Sequence, residues 1–501
     1  MVNNEKENSA KTPVKQGVGA KPPKPNKISA STPYDFAAKN ITSYGGLLPV
    51  ATLLEKLEFV ALVDEMLTVN RIPRSMGVAK FFLTIVLGIY LGLSRLSHLQ
   101  YASRDPMLTG ILEVAKVPPQ STMWRFLASL HMVVSRQLLQ LQNKLRERVW
   151  AAANVNLKTI TIDTDTTVHT LYGKQMGGRK SYNPKNKGKR SYQPILTFLA
   201  ETREFVSGQL RNGDRPTGKQ IADHLVAVFA AIPQTVTSFF ARAGSGFYCW
   251  EAIETYVKFK CRFVVVARKT ARLLAELDAA DWKPSPNTDA DAECEFSYKP
   301  EGWEQEFRFV ALRYDETERP AEETPAEQYQ LFANGPVTYR VFVTNFVQEP
   351  IDNALSTLAP LVTWFYRRRA SAENLIKEAN NDAGLAAHPS ARFDTNGARV
   401  ISAFSIHFQL AMLAYNLNCW LLLLQRDEKE TVETMKHTTI ATARMRYLFI
   451  AAKLRSHAGR TGVSFSDQYQ EQGVMNRLMS RLRAIAAPRV GIGPVIAVAL
   501  E

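Results

Sequence analysis

A short apolar strand that ends in two aspartates constrains this chain more than any other stretch. Thr159, Ile160, Thr161 and Ile162 are β-branched and alternate in polarity, the pattern of a strand over 158–166. Side chains on a strand repeat every second residue, so Asp163 and Asp165 leave one face together. Lys174 to Arg190 follows, with seven basic residues and no acid. Carboxylates beside a dense cationic loop suggest a metal site next to a polyanion, because Mg²⁺ is a hard ion that takes oxygen ligands and engages phosphates. Asp-x-Asp at a strand end is also a common turn or cap, and a basic loop is also a common solvated surface. This stretch alone leaves both readings open.

Charge narrows the choice of partner. The chain has 501 residues, 46% of them apolar, and a net charge of +15, so it can bury a large core and favours a polyanion. Nucleic acid is the first expectation and an anionic membrane surface the weaker one. Cys249, Cys261, Cys294 and Cys419 are scattered without a CxxC pair, so neither a zinc knuckle nor a disulfide framework is indicated. No secretory leader is expected from the polar, Lys/Pro-rich start. Phe81 to Leu93 is too short to span a bilayer, and Asn416 and Asn418 interrupt the apolar run Leu410 to Leu424. The expectation is a protein without membrane spans, in a reducing cytoplasm.

Periodicity divides the chain into six parts. Residues 1–36 read as a disordered basic arm and 37–153 as a helical DNA-binding domain. In the second part, helices are expected over Val50–Leu67, Val78–Leu93, Leu108–Lys116, Ser121–Leu130 with Ser121 as N-cap, and Val134–Ala153. The two short helices around Pro118-Pro119 fit a helix-turn-helix or an ordinary bundle equally. Residues 154–270 alternate strands (158–166, Pro194–Ala200, Phe205–Leu210, Thr235–Arg242, Arg262–Arg268) with helices (Thr217–Ala231, Tyr248–Lys258), an α/β mixed sheet with helices on both faces. Residues 271–348 read as an acidic β-rich insertion holding strands Glu306–Tyr314 and Thr338–Phe346. Residues 349–425 return to helices from about Ile351, including Tyr366–Asn380 and Ser402–Leu424. Residues 426–501 read as a helical basic region with Arg444, Arg446, Lys453, Arg455 and Arg460. No internal repeat is found.

A third acid stands at Glu373. On a helix, Tyr366, Arg369 and Glu373 are spaced by three and four and share a face. Arg369 is placed to hold a phosphate while Glu373 ligates a metal; a surface ion pair fits the same spacing.

Taken in order, three segments resemble the DDE transposases of bacterial insertion sequences, in the branch with a Tyr-x-x-Arg-x-x-x-Glu signature. They are Ile162 to Thr167 with Leu171–Gln175, Tyr182-Asn183-Pro184 and Gly188; Arg242 to Tyr248; and Tyr366 to Glu373 with the helix to Asn380. The resemblance implies a ribonuclease-H-like (retroviral-integrase-like) core. It also implies three acids holding two divalent ions, Mg²⁺ or Mn²⁺, for cleavage and strand transfer on terminal inverted repeats. Such proteins usually act as a homodimer on paired DNA ends. It identifies Asp165 and Glu373 as catalytic and metal-binding, Asp163 as an alternative or supporting acid, and Tyr366 and Arg369 as companions. The signature's closing lysine falls at Asn380, and Lys377 lies one turn earlier. The cationic residues expected on DNA are Arg179, Lys180, Lys185, Lys187, Lys189, Arg190, Arg367 and Arg368.

The second acid is missing. The family pattern Arg-Ala-Asp-Ser-Gly-Phe here reads Arg242-Ala243-Gly244-Ser245-Gly246-Phe247. Glycine has no side-chain ligand, so an under-coordinated site slower by several orders of magnitude is expected. Asp214 lies in another loop as an alternative donor. His169 and His407 are expected to serve packing or surface roles, and Trp303 either to fill a small-sheet core or to stack on a flipped base.

Overall fold

The computed structural model describes residues 26–69, 76–172, 177–315, 337–347, 357–387 and 397–486. The chain divides into two units, Met1–Lys39 and Asn40–Glu501. The first has no helix or strand among its described residues, and most of the expected basic arm lies outside them.

The second unit begins with a short strand, β1 (Ile41–Thr42), and six helices: α1 (Leu47–Lys56), α2 (Phe59–Met66), α3 (Val78–Tyr90), α4 (Pro106–Leu112), α5 (Gln120–Ala128) and α6 (Met132–Ala152). The single helix expected over Val50–Leu67 is two, because Glu58 takes a left-handed conformation (φ 54°) between α1 and α2. Asp105 caps α4 by accepting from the amides of Met107 and Leu108, both at 3.0 Å. Ser121 does not cap α5. Pro119 holds that position, and Ser121 lies inside the helix. Along α6, Val134, Leu138, Leu141, Leu145 and Val149 form a buried stripe at helical spacing.

The following strands build one nine-stranded mixed sheet, whose members β5, β6 and β8 are mostly buried because helices cover both faces. Its first strands are β2 (Thr159–Thr166), β5 (Ile195–Leu199), β6 (Phe205–Gln209), β7 (Ser238–Ala243) and β8 (Arg262–Val266). Between β2 and β5 in the chain, β3 (His169–Thr170) and β4 (Ser191–Tyr192) form a separate two-stranded ribbon. The β-rich segment supplies β9 (Lys283–Pro284), β10 (Ala292–Tyr298), β11 (Phe307–Asp315) and β12 (Val337–Thr344), which continue the same sheet. Strand β10 and helix α9 (Ala271–Ala279) have no counterpart in the sequence reading. The spatial order is β6-β5-β2-β7-β8-β12-β11-β10-β9; β2, β7 and β8 run parallel and the other pairs antiparallel.

Helices cover both faces. One face carries α7 (Gly218–Ala230) and α8 (Trp250–Lys258). The other carries α10 (Ala359–Arg367), packed on Val264, Val310, Leu312 and Phe342, and α11 (Ala370–Asn381), which contacts β2 and β5. The expected helix start near Ile351 lies outside the described residues. Helix α12 (Gly397–Gln425) packs on α6, α3 and α5. Its segment Ser405–Gln425 is long and apolar enough to cross a membrane, and its most apolar window is wholly buried inside the protein.

The C-terminal region departs from the all-helical expectation. After α13 (Ile440–Ala443) come two strands, β13 (Ala452–His457) and β14 (Arg460–Phe465), and then α14 (Gln472–Ala484). Alternation of Lys453, Leu454 and Arg455 is a strand period, and the density of arginines hid it.

Candidate active site

Strand β2 places its acids by simple parity. Ile160 and Ile162 point into the core on the α7 side and are fully buried, while Asp163 and Asp165 leave the face covered by α10 and α11. Their surroundings differ sharply. Asp163 is buried and takes a two-pronged bond from Arg242 on β7: Nε donates at 2.7 Å and Nη2 at 2.6 Å. The third guanidinium nitrogen of Arg242 donates to the Phe365 carbonyl at 3.1 Å, tying β2 and β7 to α10. Asp163 is therefore already satisfied by protein.

Asp165 sits at the open end of the strand. Its Oδ1 accepts from the Thr166 amide at 2.8 Å, and its Oδ2 accepts from Arg369 Nη2. Arg369 Nη1 donates at 3.1 Å to Glu373, whose side chain is 64% exposed against 9% for Arg369. One guanidinium thus bridges the two carboxylates expected to act together. Tyr366 lies beside them, with Arg369 Cζ 5.8 Å from its ring centre. Burial lifts the Asp165 carboxyl above its ordinary range, opposed by the charge of Arg369. Burial works against the Arg369 charge as well, but Asp165, Tyr366 and Glu373 outweigh it and hold the guanidinium above its usual value.

The expected single helix Tyr366–Asn380 is interrupted. Helix α10 ends at Arg367 and α11 starts at Ala370, joined by tight turns in which the Arg369 amide donates to Tyr366 O and the Ala372 amide to Arg369 O, each 2.8 Å. The turn keeps Tyr366, Arg369 and Glu373 together and buries Arg369 against the end of β2. Arg367 and Arg368 turn elsewhere: Arg367 pairs with Asp289, and Arg368 stacks 4.1 Å over the Trp364 ring.

Gly244 follows β7 directly beside this cluster. A Cβ placed there would meet Arg369 Nη2 at 3.5 Å and Cζ at 3.8 Å, ordinary contact distances. Its backbone (φ −78°, ψ 178°) is open to any residue, so the conformation does not require glycine. An acid at position 244 would face the same guanidinium as Asp165 and Glu373. Asp214 is not in that company. It bonds Asn212 at 3.1 Å and lies 3.8 Å from Arg179 of the basic loop.

The basic loop leaves the same end of β2. Arg179, Lys180, Lys185, Lys187, Lys189 and Arg190 are all exposed; Lys174 and the Gly173–Gln175 part of the motif lie outside the described residues. Asn183 and Asn186 brace the loop by donating to Thr170 Oγ1 at 3.1 and 3.2 Å. Asn380, where the resemblance expects a lysine, donates to Thr167 Oγ1 at 3.1 Å and lies 2.9 Å from His169 Nε2, so it fastens α11 to the strand exit. Lys377 is exposed on the same helix. Trp303 packs among Tyr248, Trp250 and Phe307, so of the two roles weighed for it the core role holds. His169 and His407 are buried.

A pair of divalent ions does not fit the residues present. Two carboxylates share one arginine, the third position has no side chain, and among the described residues no group of three or more His, Cys, Asp or Glu is placed to hold a metal. Asp165, Arg369, Glu373 and Gly244, which the sequence singles out separately, are brought together here. The contacts of Arg242 with Asp163 and of Asn380 with His169 have no counterpart in the sequence reading, because both span more than seventy residues of chain.

Residues 26–487 match the profile of a family described as Transposase DDE domain group 1. No curated protein matches the chain. Among solved structures the chain is similar to a piggyBac transposase in a cryo-EM synaptic complex with hairpin DNA. That similarity has 10% identity and a TM-score of 0.37, over 90% of this chain and 87% of the other.

Proposed function

The chain belongs to the DDE transposase family of group 1, and from that premise we propose that it is an insertion-sequence transposase with a ribonuclease-H-like core whose acid set is interrupted at Gly244. It binds double-stranded DNA at the terminal inverted repeats of its element, as a homodimer. Asp165 and Glu373 are two of the three acids, and Asp163 is a positioning residue held by Arg242.

The observation that carries this reading is the meeting at Arg369. Residues 165, 244 and 373 come from three distant parts of the chain, and all three converge on one guanidinium. Nothing in a surface ion pair requires a third element with open space for a side chain. The basic loop at the same strand end supports a polyanion lying across the cluster.

Gly244 favours a second reading, a relative that holds DNA ends without cutting them. One experiment separates the two. Cleavage of DNA carrying the element's ends is measured with Mg²⁺ or Mn²⁺ for the unaltered chain, for Gly244→Asp, and for Gly244→Asp with Asp165→Asn. The expected result is cleavage by Gly244→Asp at least a hundredfold faster than by the unaltered chain, on the order of what one ligand contributes to such a site. Asp165→Asn abolishes it. Full activity in the unaltered chain overturns the assignment of position 244. Binding without cleavage in all three favours the end-holding relative.

A further inference from the structure

We propose that the β13–β14 ribbon is a DNA-backbone contact, whose solvent face lies against the phosphates of duplex DNA; this rests on the transposase reading and adds a surface to it.

Register sorts the ribbon into two unlike faces. Lys453 opposes Ser464, Arg455 opposes Gly462 and His457 opposes Arg460, and opposed residues share a face. That face carries Lys453, Arg455, His457 and Arg460, with only small residues between them and no acid. The other face carries Leu454, Val463 and Phe465, packed against the core. Among the described residues, Lys453, Arg455 and Arg460 are in no ion pair, whereas upstream Arg446 is bound to Glu471 at 2.6 Å.

The ribbon is held at one end and free at the other. Strand β1 pairs with Ala452 and Lys453, and the Leu454 amide donates to Asn40 O at 2.8 Å. Beyond that support, residues 455–462 are all exposed. Ala458 and Gly459 close the tip with φ of 47° and 73°, the two left-handed residues of a type I′ hairpin turn. Such a turn matches the right-handed strand twist, so the pairing register runs to the tip and keeps the cations on one face. A two-stranded ribbon is narrow enough to follow a DNA groove about 12 Å wide. A charged edge meant only to prevent sheet-to-sheet association would need no sorting of cations to one face.

Binding of the full chain to a fluorescein-labelled duplex is measured by anisotropy between about 50 and 200 mM salt. Arg455→Ser/Arg460→Ser is compared with Lys258→Ser/Lys260→Ser, which removes the same charge from exposed positions around the end of α8. The expected result is that the slope of log affinity against log salt falls by about 2 for the ribbon variant, at about 0.9 for each phosphate no longer neutralised. It should stay within about 0.5 of the unaltered chain for the other variant. Arg455→Lys/Arg460→Lys keeps the slope, which excludes misfolding of the hairpin as the cause. Equal changes in both double variants, or none in either, overturn the proposal. So does a loss confined to anionic vesicles with DNA binding intact. If the unaltered chain shows no salt-dependent binding to duplex DNA, the transposase reading itself fails.

Discussion

Asp163 and Asp165 are two residues apart on one strand, and the difference between them is what each side chain meets. Asp163 is sealed against Arg242, so removing its charge leaves a buried guanidinium uncompensated. Asp163→Ala is expected to lower stability by about 3–5 kcal/mol, the range for breaking a buried pair from one side. Asp165→Asn should cost about 1 kcal/mol or less, because Glu373 still faces Arg369 and the side chain reaches solvent. Urea unfolding of the two variants checks this. Equal losses would mean that Asp165 is as structural as its neighbour. The sequence showed that the two acids share a face but left the choice between them open. Parity is a property of the strand, whereas the partner comes from β7, whose register against β2 no local pattern encodes.

At the scale of elements, one carboxylate joins three of them. Glu204, in the turn between β5 and β6, is fully buried. It accepts from Arg146 Nε at 3.2 Å and Trp150 Nε1 at 2.8 Å on α6, and from Trp420 Nε1 at 2.6 Å on α12. Asn416 adds to the joint by donating to Phe205 O and accepting from the Phe205 amide, both at 2.9 Å. The apolar stripes of α6 and α12 bring the helices together without fixing how far one slides along the other; the bonds to Glu204 fix it. Glu204→Ala should therefore lower stability by about 3–5 kcal/mol through stranded Arg146, whereas Glu204→Gln should cost less because an amide oxygen still accepts. Denaturant midpoints of the pair test it, and equal costs would mean that the charge itself is the binding element. Element type was legible wherever the period was clean: β2, β5, β8 and α6 lie within a few residues of their expected bounds. The reading failed where charge masked period, at β13–β14, and where a single left-handed residue or tight turn broke a helix, at Glu58 and at Arg368-Arg369.

For the whole molecule, three buried imidazoles weigh against stability in acid. Burial is the main cause that pulls His169 to about 4, His224 to about 3 and His407 to about 4. A histidine with a folded value below its unfolded one, near 6.5, takes up a proton on unfolding. Each therefore adds stability that is present above about pH 6.5 and is lost as pH falls toward the folded value. The raised carboxyls of Asp163, Asp165, Glu201 and Asp382 act in the opposite sense, since they bind protons first in the folded state and soften the loss. A bare pH profile mixes the two, so a variant is needed to separate them. His407 lies on α12, away from the acid cluster, and its shift comes from burial alone. His407→Leu should leave a stability difference between pH 7 and pH 5 smaller by about 2 kcal/mol than in the unaltered chain, from the linkage between its two values. The carboxylate contribution is common to both proteins and cancels. Denaturant unfolding at the two pH values gives the comparison directly. An unchanged difference would mean that His407 is hydrated or already protonated in the folded state, and that the loss of stability in acid comes from the remaining groups.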